Sequence, residues 1–219
     1  MGPRIVAVDI GTVRPPANFA WAAFDAPSPD LADAGFDPLT AVSALVAALG
    51  DARRAVLLLE APMSVPVPAT AEDGWRLLGR RREGEGNRPW SAGAGTGALA
   101  TGLAQGAWML GRLARLAKGL TATTDVRLWR EDGARLLLAE AFVSALGKPE
   151  PTSAGQHAAD AAAAGLAMLR LLEEDSAVSE VCCAPCGPFN LLAAMALWAG
   201  LAIDPAELRS EVLVVRTVR

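Results

Sequence analysis

The chain has 219 residues, of which 52% are hydrophobic and 20% are charged, and this balance excludes a mainly disordered protein. A formal charge of −4 argues against a protein that binds nucleic acid through a uniformly basic surface, but it does not exclude an enzyme with a local basic rim. The most apolar windows are interrupted by Gly, Pro or charged residues before about 18 residues, so we expect no membrane-spanning helix.

Three apolar strands are predicted in the first 60 residues. Their hydrophobic runs are typical of strands inside an α/β sheet. The runs lie at residues 5–8, which end on Asp9, and at residues 18–24 and 54–60. Between the second and the third, residues 26–38 predict a loop with the pattern of a weak strand, and helical spacing of Leu and Val predicts a helix over 39–49.

The middle of the chain predicts a long helix between irregular segments. Pro62, Pro66 and Pro68 exclude a helix directly after the third strand. Asp132-Gly133 is typical of a hairpin turn between two strands. The predicted elements are a short helix at 75–82, a glycine-rich loop at 83–97, a helix at 98–116 and strands at 126–129 and 135–139.

The last part of the chain predicts helices and one closing strand. The elements are a short helix ending at Leu146, a helix over 153–174, an apolar helix within 185–201, a short helix capped by Asp204 and a strand at 212–218. No repeat or hinge-like linker is visible. We therefore expect one α/β domain over residues 1–219, with helices on both faces of the sheet and a helix-strand extension from about residue 181.

Acidic side chains follow three of the predicted strands. Asp9 ends the first strand, Glu60 ends the third, and Glu140 follows the strand at 135–139. Ligands of such sheets bind beyond the carboxyl ends of the strands, so these acids are candidate site residues. Each also has an ordinary structural explanation, as a turn residue or a helix cap.

A fourth acid and the only histidine lie on the predicted helix at 153–174. His157 and Asp160 are three residues apart and therefore project from one helix face. Asp160 is surrounded in sequence by alanines, which leave it no local partner of opposite charge. A charge in such a segment indicates a functional role, although an ion pair with a distant Arg is the alternative.

These motifs resemble the RNase H-like superfamily. The similarity rests on Asp-X-Gly-Thr at residues 9–12, on Glu60 at a strand end and on His-Ala-Ala-Asp-Ala at residues 157–161. The branch that the chain most resembles contains the Holliday-junction resolvases and the predicted RNase H-like nucleases. The similarity covers roughly residues 4–175 and implies a mixed sheet in which three antiparallel strands are followed by parallel ones. Pro15-Pro16 and residues 181–219 depart from the family pattern.

The resemblance also implies a chemistry, the two-metal hydrolysis of phosphodiester bonds. In it Asp9 would bridge two Mg²⁺ or Mn²⁺ ions about 4 Å apart, Glu60 and Asp160 would complete the ligands, and His157 would assist. Glu140 matches a Glu after the fifth strand of the uncharacterised relatives and would be a further metal ligand. Hard oxygen donors of this kind suit Mg²⁺ and Mn²⁺.

A basic loop flanked by Trp75 and Trp90 is a candidate nucleic-acid interface. Its cations are suited to phosphates and its tryptophans to stacking on a base. The predicted contact residues are Arg76, Arg80, Arg81, Arg82 and Arg88. We expect the loop to lie on the rim of the acidic cleft and to be mobile without ligand. The alternative is a solvated charged loop, diluted by Glu83 and Glu85.

Two further motifs carry weaker signals. The glycines of residues 93–97 precede a helix, as in a phosphate cradle, but no Lys-Ser/Thr follows them, which favours a flexible loop. Cysteines are found at Cys182, Cys183 and Cys186. Zinc normally needs four Cys or His ligands and the chain has one His, so buried cysteines are favoured over a metal site.

Three functional hypotheses follow. The first is a metal-dependent nuclease that acts on DNA or RNA. The second is an actin-like kinase or ATPase, whose first phosphate loop also reads Asp-X-Gly-Thr but which needs a second such hairpin. The third is a catalytically silent binding protein. No signal-peptide pattern precedes the first strand, so we expect a cytoplasmic protein. The sequence leaves open whether the protein forms a homodimer.

Overall fold

The computed structural model describes residues 2–14, 17–68, 74–86, 89–143, 147–174, 177–179 and 181–217. Pro15 and Pro16 lie outside these ranges. The end of the predicted short helix, at residues 144–146, lies outside them as well. No helix in the described part of the chain is long and apolar enough to cross a membrane.

Within these residues, the chain folds around a mixed sheet of seven strands. The strands are β1 (Arg4–Asp9), β2 (Ala20–Asp25), β3 (Leu31–Gly35), β4 (Ala55–Glu60), β6 (Ala122–Thr123), β7 (Leu136–Phe142) and β9 (Val214–Arg216). Their order in the sheet is β3-β2-β1-β4-β7-β6, and β9 also pairs with β7. The first three are antiparallel neighbours, while β4, β7, β6 and β9 all run parallel to β1. The strands β5 (Ser64–Val67) and β8 (Gly187–Asn190) form a separate antiparallel pair.

Helices cover both faces of the main sheet. They are α1 (Pro38–Gly50), α2 (Gly93–Leu116), α3 (Val126–Arg130), α4 (Gln156–Glu173) and α5 (Leu191–Ala199). Short 3₁₀ helices lie at Gly74–Leu77 and Pro205–Arg209. Side chains of a strand alternate between faces: Val6 and Val8 pack against α1, α2 and α5, whereas Ile5 and Ala7 pack against α3 and α4. The predicted α/β class with helices on both faces is therefore confirmed.

One predicted hairpin is wrong. Residues 126–129 form part of α3 rather than a strand, and β6 and β7 on either side of α3 run parallel. Asp125 caps this helix, its carboxylate accepting the Arg127 N–H at 2.8 Å. Val126 and Trp129 are buried three residues apart, which is helical spacing. A segment of five residues is too short for its hydrophobic pattern alone to separate these two possibilities.

The prediction of a flexible glycine-rich loop that continues to residue 97 is also wrong. The helix α2 begins at Gly93 and includes the glycines that were predicted as a flexible loop. A Cβ at Gly95 would lie 2.2 Å from the Pro89 carbonyl oxygen, and one at Gly102 would lie 2.6 Å from Ala61 Cβ. These glycines therefore permit close packing of the helix against the preceding loop and the end of β4.

The carboxyl-terminal segment is built into the fold. The strand β9 extends the main sheet beside the end of β7, and β8 pairs with β5. Glu207 is buried, and its carboxylate accepts hydrogen bonds from Thr123 Oγ1 at 2.8 Å and from the Thr124 N–H and hydroxyl at 2.6 Å. These contacts fix the segment to the sheet beyond β6.

Candidate metal centre

The site begins at the carboxyl ends of β1 and β4. The two strands are parallel, and Asp9 lies in register with Glu60. Both side chains belong to the face of the sheet that carries α4, because Ile5 and Ala7 of β1 and Val56 and Leu58 of β4 pack on that face. Adjacent strands are about 4.8 Å apart, so two acidic residues are neighbours on this edge.

The helix α4 brings the next two residues to this edge. His157 Nδ1 lies 2.6 Å from Asp9 Oδ2, although the two residues are 148 positions apart in the chain. Ligand atoms of Asp9, His157 and Asp160 all lie within 4.8 Å of one another. We call these three residues the Asp-His-Asp group.

Small residues permit α4 to approach the sheet closely enough for these contacts. Ala161 and Ala164 are fully or almost fully buried against the strands. A Cβ at Gly165 would lie 2.5 Å from the Phe24 ring, so this position requires glycine unless the ring moves. The alanine-rich sequence around Asp160 is therefore a packing surface as well as the setting of a buried carboxylate.

Asp160 has partners that its local sequence does not contain. The Gln156 side-chain amide donates to Oδ1 at 2.7 Å, and Lys148 Nζ lies 3.5 Å from Oδ2. The expectation that Asp160 lacks a nearby opposite charge holds within the helix, but Lys148 comes from the connection between β7 and α4. Sequence analysis did not identify Lys148 as a site residue. The one feature that sets it apart in the sequence is its residue type, because only two of the twenty basic residues are lysines.

The electrostatics of the group are those of a buried carboxylate with charged neighbours of both signs. Burial raises the pKa of Asp9 from 3.8 to about 6, and the charge of Asp160 adds to this rise. The hydrogen bond and charge of His157, together with the charge of Lys148, oppose it. Asp9 and Asp160 have side-chain exposures of 9% and 5%, whereas His157 is 41% exposed and is open to solvent.

A pocket of about 300 Å³ opens over these residues. Its polar lining consists of Asp9, Glu60, Glu140, Lys148, His157 and Asp160. The opposite wall is apolar and is formed by the first turns of α2 and the ends of β4 and β7. The carboxylate of Glu60 is outside the group whose ligand atoms lie within 4.8 Å, but the residue borders the same pocket.

Glu140 does not join the other acids. It lies in register with Leu59, one position before the level of Asp9 and Glu60, and its side chain therefore projects to the opposite face. Its carboxylate accepts two hydrogen bonds of 2.7 Å from the Arg82 guanidinium, and a third from the Met63 N–H. The predicted role of Glu140 as a metal ligand is contradicted by this arrangement, because an arginine already occupies both oxygens.

Arg82 is likewise misassigned as a nucleic-acid contact. The residue is 1% exposed, and besides Glu140 it pairs with the buried Glu85 at 2.9 Å and with the Ser64 hydroxyl at 3.2 Å. We call Arg82, Glu85 and Glu140 the Arg82 network. It anchors the middle of the basic loop inside the protein, where phosphate cannot reach the guanidinium.

The other arginines of the loop differ from Arg82. Arg76, Arg80 and Arg81 are exposed, and the Arg76 guanidinium lies 5.4 Å from the ring centroid of Trp75, which is 65% exposed. Arg88 lies outside the described residues. The end of the loop packs against the first turn of α2, where the Thr96 hydroxyl donates to the Trp90 carbonyl at 3.2 Å.

The cysteines are distributed as expected for packing residues. Cys183 and Cys186 are buried, and Cys182 is partly exposed. Burial, reinforced by the charge of Glu211, raises the pKa of the Cys183 thiol to about 12, so it stays protonated at neutral pH. Within the described residues, no candidate metal-binding group contains a cysteine.

The donor atoms of the Asp-His-Asp group could hold a divalent cation. Two carboxylates and an imidazole are ligands that first-row divalent metals accept, and carboxylate oxygens also suit Mg²⁺. A cation there would offset the burial and the Asp160 charge that together raise the pKa of Asp9. The arrangement therefore favours metal binding on electrostatic grounds.

Comparison with known proteins adds no relative to this picture. No family model matches the chain, and no match was found among curated proteins or solved structures.

Proposed function

We propose that this protein is a metal-dependent nuclease of RNase H-like type, which hydrolyses phosphodiester bonds of nucleic acid with Mg²⁺ or Mn²⁺. The observation that carries the proposal is the convergence of Asp9, His157 and Asp160 at the carboxyl end of β1. Ligand sites of open α/β sheets lie at this edge. Glu60, beside Asp9 on the next strand, adds a further oxygen donor to the same pocket.

The strand order also supports the proposal. Three antiparallel strands in the order β3-β2-β1, followed by the parallel strands β4 and β7, agree with the order that the family resemblance implies. Fold agreement alone does not assign chemistry. The argument for hydrolysis therefore depends on the pocket residues.

The pocket residues have distinct roles in this reaction. A divalent ion bound there would supply charge stabilisation and would lower the pKa of a bound water. Asp9 and Asp160 would hold the ion, and the partly exposed His157 would take the proton that the attacking water loses. The water oxygen would bond to phosphorus, the bond from phosphorus to the leaving oxygen would break, and the leaving oxygen would take a proton from solvent water.

The test is cleavage of end-labelled single-stranded and double-stranded DNA and RNA in Mg²⁺, Mn²⁺ or EDTA. We expect cleavage with either metal, no cleavage in EDTA, and a loss of about a hundredfold or more in Asp9→Asn and Asp160→Asn. The matched control is Asp51→Asn, an exposed Asp at the end of α1, near the start of β4 and away from the pocket. Cleavage that survives EDTA or both site variants would refute the proposal.

Two other outcomes would select the alternatives. Saturable ATP binding without cleavage would favour an actin-like kinase or ATPase. Metal and nucleic-acid binding without cleavage of any of the four substrates would favour a binding protein.

A further inference from the structure

Lys148 is the one lysine at the candidate metal centre. Its ammonium lies 3.5 Å from Asp160 Oδ2, which is longer than the 2.7–2.9 Å of a well-formed charged hydrogen bond. Its side chain is 40% exposed and borders the pocket together with Asp9 and His157. The ammonium is therefore only loosely held and can reach a molecule bound in the pocket.

The donor set beside Lys148 fits one divalent ion better than two. Among the described residues, the carboxylates close enough to share an ion are those of Asp9 and Asp160, with His157 beside them. A second ion about 4 Å away would need further carboxylates. Glu60 borders the pocket, but its carboxylate lies outside this group, and Glu140, the other acid predicted as a ligand, is paired with Arg82.

We propose that the pocket holds a single divalent ion and that Lys148 supplies the second positive charge, by contacting a non-bridging oxygen of the substrate phosphate. This inference rests on the proposed nuclease function and assigns the mechanism of the same site. With Asp160 holding the ion, the Lys148 ammonium would leave its weak pair with that carboxylate and would turn to the phosphate. The contact is a charge-assisted hydrogen bond in which no proton is transferred.

The composition of the chain supports a specific role for lysine at this position. Arginine fills all but two of the twenty basic positions of the chain. An ammonium is a compact point charge on a flexible stem, which suits exchange between a carboxylate and a phosphate. A static ion pair with Asp160 would be served equally well, or better, by the planar arginine fork.

The test compares Lys148→Met and Lys148→Arg with Lys118→Met. Lys118 is the other lysine of the chain, exposed beyond the end of α2 and bordering a different pocket. Isothermal titration of the metal-free proteins with Mn²⁺ gives the number of ions bound. A second titration, of the Mn²⁺-loaded proteins with inorganic phosphate, gives the affinity for the anion without any need for cleavage.

We expect one Mn²⁺ per chain in all the proteins, with an affinity in Lys148→Met that is unchanged or higher, because a competing cation has been removed. The phosphate dissociation constant should rise about ten- to hundredfold in Lys148→Met, rise by less in Lys148→Arg, which keeps the charge but not the compact ammonium, and not change in Lys118→Met. Thermal melting of each variant confirms that it is folded.

The two proposals fail in different ways. Two Mn²⁺ ions per chain, or a phosphate affinity that Lys148→Met leaves unchanged, would overturn the role of Lys148 while the nuclease proposal stands. Absence of Mn²⁺ binding would overturn both. One bound ion and a Lys148-dependent phosphate affinity, without cleavage of nucleic acid, would support this inference and refute only the proposed reaction.

Discussion

The Asp-His-Asp group and the Arg82 network start from the same feature, an acid at the carboxyl end of a parallel strand, and differ in almost everything else. Asp9 ends β1 in an open pocket and has a partly exposed histidine as its nearest partner. Glu140, near the end of β7, is fully buried and paired with an arginine that is itself buried. Both acids border the same pocket, but Asp9 is accessible to a ligand there, whereas Glu140 is sealed off by its pair with Arg82.

The difference teaches that a strand-end acid is not by itself a site residue. The face on which its side chain lies, and the charge that meets it there, decide its role. Burial alone would lower the pKa of Arg82, but the charges of Glu140 and Glu85 raise it above its ordinary value. The opposite imbalance exists at Asp9, whose pKa is raised. The charges around Arg82 outweigh the cost of its burial, whereas those around Asp9 do not outweigh the cost of its burial.

The largest expected effect comes from removing the cation of the sealed region. Arg82→Met leaves Glu85 and Glu140 buried without their partner, and we expect a loss of about 3–5 kcal/mol in the free energy of unfolding. Urea unfolding of the metal-free protein measures this loss. Arg80→Met, a change at an exposed arginine two residues away, should cost less than about 0.5 kcal/mol. Equal stabilities of the two variants would show that the buried Arg82 network contributes no more to stability than an exposed arginine of the same loop.

The second effect is a pH dependence that belongs to the open region. The folded pKa of Asp9 is about 6, above its unfolded value of 3.8. Its stabilising contribution is therefore present below pH 4 and is lost as the pH rises through 6. A difference of about two pKa units corresponds to about 3 kcal/mol. Asp9→Asn should thus gain up to about 3 kcal/mol relative to the wild type between pH 4 and pH 7.

Urea unfolding in EDTA at several pH values tests this prediction. Asp51→Asn serves as the control, because its carboxylate is exposed and lies away from the pocket, and its curve should run parallel to that of the wild type. A difference between Asp9→Asn and the wild type that stays constant with pH would contradict it.

The third effect is stabilisation by metal. At a Mn²⁺ concentration a hundredfold above the dissociation constant, binding to the folded state should stabilise the wild type by about 2.7 kcal/mol. Asp160→Asn should lose most of this gain. Its metal-free stability should change by less than about 1 kcal/mol, because relief of repulsion with Asp9 offsets the loss of the weak Lys148 pair.

Thermal melting of both proteins with and without Mn²⁺ measures the metal-induced stabilisation separately from the stability of the metal-free protein. Glu140→Gln is the informative comparison, since it should keep the full metal-induced shift while lowering the stability of the metal-free protein. An identical shift in wild type and Asp160→Asn would make Asp160 an ordinary helix residue.

The smallest effect concerns the exposed arginines of the basic loop. If Arg80 contacts a phosphate of single-stranded nucleic acid, Arg80→Gln should reduce the slope of log affinity against log salt by about 0.7. The measurement is fluorescence anisotropy of a labelled oligonucleotide with Asp9→Asn as the background, so that cleavage does not interfere. Arg115→Gln, at an exposed arginine in the last turn of α2, should leave the slope unchanged. Equal slopes in all three proteins would remove Arg80 from the interface.

Sequence patterns predicted a large part of the framework. Apolar runs located β1 and β4, and helical spacing located α1 and the face of α4 that carries His157 and Asp160. The prediction of a strand at 126–129 was wrong because five residues contain too few periods to distinguish a helix from a strand. The glycines of α2 were misassigned because their reason is a close approach to Pro89 and Ala61, which are not neighbours along the helix.

By itself the sequence determined which residues carry charge and how they repeat along the chain, since hydrophobic periodicity and turn chemistry act over a few residues. That was enough to place acids at strand ends and a histidine one helical turn from Asp160. Only the tertiary structure decided that Glu140 meets Arg82 on one face, and that Lys148 meets Asp160 on the other. Those outcomes depend on strand register and on loops that join distant segments, and a shift of one residue in β7 would reverse the side of the sheet to which Glu140 projects.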